Sequence, residues 1–479
     1  MVKNLVFHLI VQNFLVLLCI CHNFGTLIAQ NTEDLTGQQI DGYRGIWFEL
    51  NQKYPYGDKY SGGLGTYTAK HIPLAFYAPE VKKTFFVYGG TTDADERYLL
   101  CMIGYFDHEK EVVGKPWVVY DKKGVNDPHD NPSLSIDPEG YIWVFVSGRG
   151  SRRPGFIFKS ALPYDISSFR QVHESEMTYP QPWYIPGKGF VYLFTKYSGV
   201  RELYFRTSKD GENWTDDMKL SGIKEAGTER SGHYQVSNRH ENKVSTFFNR
   251  HPDGNVDQRT DLYYLQTEDF GKTWTNIRGE PMEIPLEQVD NAARVFDYQS
   301  LQKNVYVKDL KFDSRGNPMC LYLTSGGHEP GPENDPREWR ICQWTGTEWR
   351  QTVIAHSDHN YDMGSLIINK NRWYLVAPTT DGPQKYGTGG EIDIWYSRNQ
   401  GKKWKLAKPV TRSSEFNHAY VRSVIHGIAP FQYFWADGNP DALSSSHLYF
   451  GDLEGNIWQL PYAMTQEEEK PRKIEIGTK

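Results

Sequence analysis

Three short stretches of the chain read almost alike: Ser208-Lys-Asp210-Gly211-Glu-Asn-Trp214, Thr267-Glu-Asp269-Phe-Gly271-Lys-Thr-Trp274 and Ser397-Arg-Asn399-Gln-Gly401-Lys-Lys-Trp404. Each places Ser or Thr, then Asp or Asn, then Gly, then Trp behind an aromatic-rich run such as Leu203 to Thr207 or Tyr263 to Gln266. The Asp or Asn side chain can bond backbone N–H groups in a tight turn. The Gly takes positive φ without steric cost, and the Trp can cover the hairpin. A hairpin that recurs along a chain means a sheet unit that recurs, and this constrains the fold before any chemistry is considered.

Weaker copies extend the pattern: Asp137-Pro-Glu-Gly140-Tyr-Ile-Trp143, Thr345-Gly346-Thr-Glu-Trp349 and Asp452-Leu-Glu-Gly455-Asn-Ile-Trp458. The six tryptophans at 143, 214, 274, 349, 404 and 458 are 71, 60, 75, 55 and 54 residues apart. A period of about 63 is too long for a helical solenoid and suits a four-stranded blade with generous loops. Residues 43 to 105 supply one further unit without the motif. The expected fold is therefore all-β: a seven-bladed β-propeller in a single domain over 30–463, with a polar tail at 464–479 that should fray.

Aromatic residues are 14% of the chain, with 31 Tyr and 14 Trp, as suits sheets packed face to face. The net charge of −6 provides no global basic field, so nucleic acid is not an expected partner. The N-terminus has Lys3 ahead of an apolar stretch and ends at Leu27-Ile-Ala29, a small-residue cleavage site. Residues 1–29 are thus read as a signal peptide, and the mature protein as exported, periplasmic or secreted. No later stretch is long and apolar enough to span a membrane. Cys101, Cys320 and Cys342 lie in strand-like runs without metal-ligand spacing, so buried thiols are expected, with a Cys320–Cys342 bridge as the alternative. No metal and no cofactor is expected, and the chain is read as a monomer.

Several groups could carry chemistry. His129, in Asp127-Pro-His129-Asp130-Asn131-Pro132, stands at the entrance of a strand and can serve as a general base or cap a turn. Tyr179 lies in Thr178-Tyr179-Pro180-Gln181-Pro182, where the prolines stiffen the backbone and can set the direction of the phenol. Arg201, beside Lys196 and Tyr197, can pair with a carboxylate. The insertion carrying His233 and Tyr234, with Arg250 and His251 beyond it, adds imidazole, phenol and guanidinium groups. Arg149 opens a basic cluster with Arg152 and Arg153. His71, after a glycine-rich loop that is no phosphate loop, is either a site residue or a core histidine. There is no Gly-x-Ser-x-Gly elbow and no His-Glu-x-x-His. A set of His, Tyr and Arg suits β-elimination from a uronic acid: Arg neutralises the carboxylate, His or Tyr removes the C5 proton, and a second group protonates the oxygen leaving C4.

At Gly42-Tyr-Arg-Gly-Ile-Trp47, Tyr60-Ser-Gly-Gly-Leu-Gly, His129-Asp-Asn-Pro, Asn304-Val-Tyr-Val-Lys-Asp309, Ala377-Pro-Thr-Thr-Asp-Gly-Pro383 and Phe434-Trp-Ala-Asp-Gly438, the chain resembles the BNR-4 repeat proteins of polysaccharide-degrading bacteria. That group includes seven-bladed ulvan lyases, α-L-rhamnosidases acting on rhamnosyl-glucuronate, and an ulvan oligosaccharide dehydratase, to which the chain is most similar. The resemblance implies an anionic oligosaccharide as substrate. It implies His129, Tyr179 and Arg201 as the lyase set, with Tyr234 as a further contact. Where the lyases carry a second His, this chain has Arg149-Gly150, which could move carboxylate binding to Arg149. His71 is the residue comparable with the rhamnosidases' single His.

Three functions follow as expectations. The first is a carbon–oxygen lyase on uronate-containing oligosaccharides, working as a dehydratase or as a polysaccharide lyase. The second is a rhamnosidase relying on His71. The third is a glycan-binding propeller without activity, since fold alone does not license an enzyme.

Overall fold

The computed structural model describes residues 33–63, 65–93 and 98–475. The signal peptide read at 1–29 lies outside them. Each repeated turn closes as its residues dictate. In the first, the Gly211 N–H donates to Ser208 Oγ at 2.8 Å, and the N–H groups of Glu212 and Asn213 donate to Asp210 Oδ1 at 2.9 and 2.8 Å. The Trp214 indole N–H donates to Gly211 O at 2.9 Å. Thr267 and Ser397 accept from Gly271 and Gly401 in the same way, at 2.9 and 3.0 Å. The three glycines sit at φ of 75°, 82° and 75°, the left-handed region that costs them nothing.

The described residues form strands and three short 3₁₀ turns, with no α-helix. Seven larger sheets follow one another along the described chain, each built on antiparallel strands consecutive in sequence, and some gain a further edge strand from elsewhere: Leu286–Gln288 joins the third sheet in parallel and Glu468–Glu469 joins the first. Their first strands are Ala75–Ala78, Pro132–Ile136, Thr178–Ile185, Gln235–His240, Asn304–Phe312, Ser365–Asn369 and Asn417–Ser423. The inner strands, such as Ile142–Val146 and Pro318–Ser325, are buried on both faces, whereas outer ones such as Lys405–Pro409 are exposed. Trp143 and Phe145 of the second sheet pack against Phe190, Tyr192 and Phe194 of the third. Leu321 and Leu323 of the fifth meet Leu366 and Leu375 of the sixth. Phe106 of the first sheet lies against Phe450 of the seventh, with ring centroids 5.2 Å apart. A separate small sheet pairs Gly45–Glu49, near the start of the chain, with Ser444–Ser446 near its end.

The tail read as frayed from 464 is corrected over its described part. Glu468–Glu469 pairs with Val112–Gly114, and Arg472–Ile474 pairs with Ile457–Gln459. Its charged side chains face water while its backbone completes two sheet edges, so polarity misled the reading. Cys320 and Cys342 are direct cross-strand partners yet remain free thiols, as does Cys101, and all three are buried.

Gly211 also fills a packing role: a Cβ there would stand 2.4 Å from the Trp143 ring. Gly187 has a similar φ of 72° with nothing within 4 Å of its Cβ position. Gly187→Ala is expected to cost about 1 kcal/mol from the left-handed backbone alone. Gly211→Ala should cost about 1–3 kcal/mol more through overpacking between sheets. Denaturant unfolding of the two variants checks the difference.

Candidate active site

The beginnings of the first strands, with the turns just before them, and the connections between second and third strands converge on one cavity of about 140 Å³. His129, Tyr179, Arg201, Tyr234 and Arg149, far apart in sequence, all line it. They are joined there by Lys59, Tyr60, Tyr67, Lys70, Arg259, Tyr306, Lys308, Tyr361 and Tyr420. Six cationic side chains and seven phenols line this cavity, and no carboxylate does.

His129 is held by its own turn. Pro128–Asp130 is a 3₁₀ turn whose N-cap, Asp127, accepts the His129 backbone N–H at 3.0 Å. The same Oδ1 lies 2.5 Å from His129 Nδ1. Donation of Nδ1–H to Asp127 leaves Nε2 as the acceptor facing the Tyr67 hydroxyl, 3.0 Å away. The other Asp127 oxygen takes Arg149 Nη1 and Arg153 Nη2, each at 2.6 Å. Burial pushes His129 below its ordinary pKa, with Asp127 opposing, so the ring is neutral near pH 7. Burial works against the charge on Asp127 too, but His129 and Arg149 outweigh it and hold the carboxyl well below the usual range.

Tyr179 reaches the cavity through a break in its strand. The register with Gly189–Lys196 slips between Thr178 and Gln181, and Tyr179 takes φ of 57°. A β-bulge beside prolines re-aims one side chain while the rest of the strand stays paired. The strain of a non-glycine residue in this region is tolerated because the neighbours over-determine it. The Tyr179 N–H, for example, donates to Ser147 Oγ at 3.2 Å. Its ring centroid stands 6.0 Å from His129 and 5.6 Å from Tyr234. Burial holds the Tyr179 hydroxyl well above the ordinary tyrosine pKa, so it keeps its proton.

Tyr234 behaves oppositely. Burial would raise it, yet Arg201, Arg259 and Arg149, with a bond from Tyr179, bring it below the ordinary tyrosine value. The Arg201 and Arg259 guanidinium carbons lie 5.9 and 4.8 Å from its ring centroid. Among the described residues, no carboxylate forms a salt bridge with Arg201 or Arg259, and the buried Arg201 Nε has no hydrogen-bond partner. Lys70 and Lys308 donate to the backbone carbonyls of Val307 and Asn360. Burial pushes Lys308 down to about 7.

The remaining sequence-derived residues are not in the lining. His71 is fully buried, and its Nε2 lies 3.0 Å from His129 O. Arg422 donates to the carbonyl of His71, so this histidine is a strut beneath the site rather than a ligand of it. His233 is also fully buried: Nε2 accepts the Ile223 N–H at 3.1 Å and Nδ1 faces Asn249 O at 2.9 Å. Both ring nitrogens are thus committed to backbone, and the catalytic reading of His233 is corrected. Arg250 is spent on Asp261, 2.7 Å, and Glu225, 3.0 Å, which corrects its reading as a substrate contact. His251 packs edge-on to Tyr234, with centroids 4.9 Å apart, and Tyr197 stands behind Arg201. Both support lining residues from outside the cavity.

Sequence reasoning missed Arg259, Tyr306, Lys308 and Tyr361. For two of them a signal existed: Tyr306 and Lys308 alternate within Asn304–Phe312, and alternate residues of a strand share a face. Arg259 and Tyr361 sit in loops with no local pattern. Among the described residues, no group of three or more His, Cys, Asp or Glu side chains is arranged to hold a metal ion.

A family model described as "BNR repeat-containing family member" matches residues 94–357, more than half of the chain. The chain belongs to this BNR repeat-containing family. It is 22% identical over 315 residues to an ulvan lyase of Nonlabens ulvanivorans, covering 59% of this chain and 65% of that protein. It is 21% identical over 327 residues to Ulvan Lyase-PL25 of Pseudoalteromonas sp. (strain PLSV), covering 61% and 65%. The chain therefore spans about 65% of the length of the curated relatives it matches. A solved polysaccharide lyase PL25 ulvan lyase, bound to -[GlcA(1-4)Rha3S]-, superposes with a TM-score of 0.68 at 15% identity, over 91% of this chain and 98% of that one. Polysaccharide lyase Uly1 superposes at 0.57 and 13% identity, over 89% and 98%. The likeness to these solved structures shows a shared fold.

The depression of Tyr234 can be read directly. Ultraviolet difference titration should show one tyrosine ionising below the ordinary value of about 10. Tyr234→Phe should abolish that transition, and Arg201→Met should move it to higher pH.

Proposed function

We propose that this protein is a carbon–oxygen lyase that acts by β-elimination on uronate-containing, ulvan-type oligosaccharides. The observation that carries the reading is the cavity itself: six basic side chains line it and no carboxylate does, and two of them, Arg201 and Arg259, have no salt-bridge partner among the described residues and face a neutral histidine and a protonated tyrosine. Such a lining attracts an anion and offers proton transfer on both sides of a reacting bond. The ulvan lyase names of the sequence relatives agree with it.

In this reading Arg201 and Arg259 bind the uronate carboxylate and stabilise the negative charge that develops on it as the C5 proton leaves. His129, oriented by Asp127, receives that proton on Nε2, which Tyr67 occupies in the free protein. The C5–H electron pair becomes the C4=C5 double bond, the C4–O bond breaks, and Tyr179 donates its proton to the departing oxygen. The product is a 4,5-unsaturated uronyl group. A hydroxyl at C4 leaves as water, which makes the enzyme a dehydratase; a sugar there leaves as a shortened chain. No step uses His71, whose burial beneath His129 argues against the rhamnosidase alternative.

We read the seven sheets as the blades of one seven-bladed β-propeller, with the cavity at the mouth where the first strands begin. The packing of the first sheet on the seventh supports this. We also read the protein as exported and monomeric. No helix among the described residues is long and apolar enough to cross a membrane.

Incubation with ulvan oligomers, followed at the ultraviolet band of unsaturated uronate and by mass, tests the proposal. His129→Gln and Tyr179→Phe are each expected to lower kcat by about 10²–10⁴-fold. Full activity in either variant would remove that residue from the mechanism. Because the base must be neutral and burial lowers the pKa of His129, kcat/KM should hold to a pH below the ordinary histidine value of about 6.5 before it falls. An acid limb at or above that value would contradict the assignment.

A further inference from the structure

We propose that the segment from Gln52 to Tyr60 is a strap that limits the site to the end of a sugar chain. This rests on the elimination reading above and concerns which uronate can enter. The strap leaves strand Gly45–Glu49 and returns in Ser61–Gly63, and the two strands pair with each other at its root. The root is fastened by Trp47 Nε1 donating to Ser61 Oγ at 3.0 Å and by Tyr420 OH donating to Ser61 O at 2.9 Å. Between these ends the chain forms a small hairpin, Lys53–Tyr54 against Gly57–Asp58.

The hairpin does not stand free in solvent. The Tyr54 hydroxyl lies 3.1 Å from His328 Nε2, and Tyr56 packs edge-on against Tyr386 at 5.3 Å. Lys59 pairs with Asp257. Those three partners sit in the loops of the fourth, fifth and sixth sheets, so the strap reaches across to them from the small sheet at its root. Its inward residues, Gln52, Lys59 and Tyr60, are part of the cavity lining, and Tyr60 stacks on Tyr361 with centroids 4.8 Å apart. A uronate inside a long chain needs two exits from the site, one for each neighbour. The strap walls the cavity along the fourth to sixth sheets and occupies one of them. A terminal uronate needs only the other.

The test compares long ulvan chains with short oligomers that end in a uronate. Formation of unsaturated product and mean chain length are both followed. The wild type is expected to form product on the oligomers while leaving the mean length of the long chains unchanged. Replacing Lys53 to Asp58 by Gly-Gly keeps the three inward residues. It should raise internal cleavage relative to end attack by about tenfold or more. If that variant does not fold, Tyr54→Phe with Tyr56→Ala unfastens the tip without shortening the chain, and should shift the ratio in the same direction. An unchanged ratio in a folded variant, or a wild type that shortens long chains as fast as it attacks ends, would overturn the strap's role. A wild type that forms no unsaturated product from either substrate would instead sink the elimination reading beneath it.

Discussion

One carboxylate organises the candidate site. Asp127 receives the backbone N–H and the ring of His129 on one oxygen and two guanidinium groups on the other. Its position as cap of a 3₁₀ turn sets the backbone, and its charge sets the tautomer of the ring. Without it His129 would lose its fixed tautomer, and Arg149 and Arg153 would lose their common partner. A half-buried carboxylate of this kind is stable when its bonding capacity is met, and here four donors meet it.

The cavity above it shows the opposite pattern. Arg201, Arg259, Lys70 and Lys308 are gathered with no carboxylate in salt-bridge contact among the described residues, against phenol rings and backbone carbonyls. Burial disfavours a charged amine, and neighbouring cations such as Arg259 add to it, which is why Lys308 falls to about 7 and Lys70 well below its ordinary value. In the proposed reading the uronate carboxylate supplies the missing charge. Tyr234 takes part in the same balance from the other side: its hydroxyl loses its proton more readily because three arginines surround it.

Two local distortions deliver side chains to this place. Tyr179 and Tyr420 both adopt left-handed φ, 57° and 56°, where their strands slip register against the next. Regular strands would alternate strictly between faces and could not turn both phenols toward the cavity. The sheets behind them, locked by tryptophan-covered turns, provide the rigidity that holds these strained residues.

The turn repeats were legible in the chain itself. Ser or Thr, Asp or Asn, Gly and Trp at short fixed spacing act within a few residues, so local chemistry decides them and periodicity then counts the units. Tyr179 was legible for the same reason, since Pro180 and Pro182 mark a distorted strand. What the chain alone did not decide is which polar residues share a cavity. His71, His129 and His233 look alike in sequence. Only packing made His71 and His233 buried struts with both ring nitrogens near partners and left His129 facing the lining. Arg250 and Arg259 are nine residues apart, yet one is consumed by Asp261 and Glu225 while the other is not. The sequence by itself determined the sheets and their turns, because these depend on neighbours along the chain. The site was decided by tertiary structure, because a side chain's freedom depends on partners tens to hundreds of residues away.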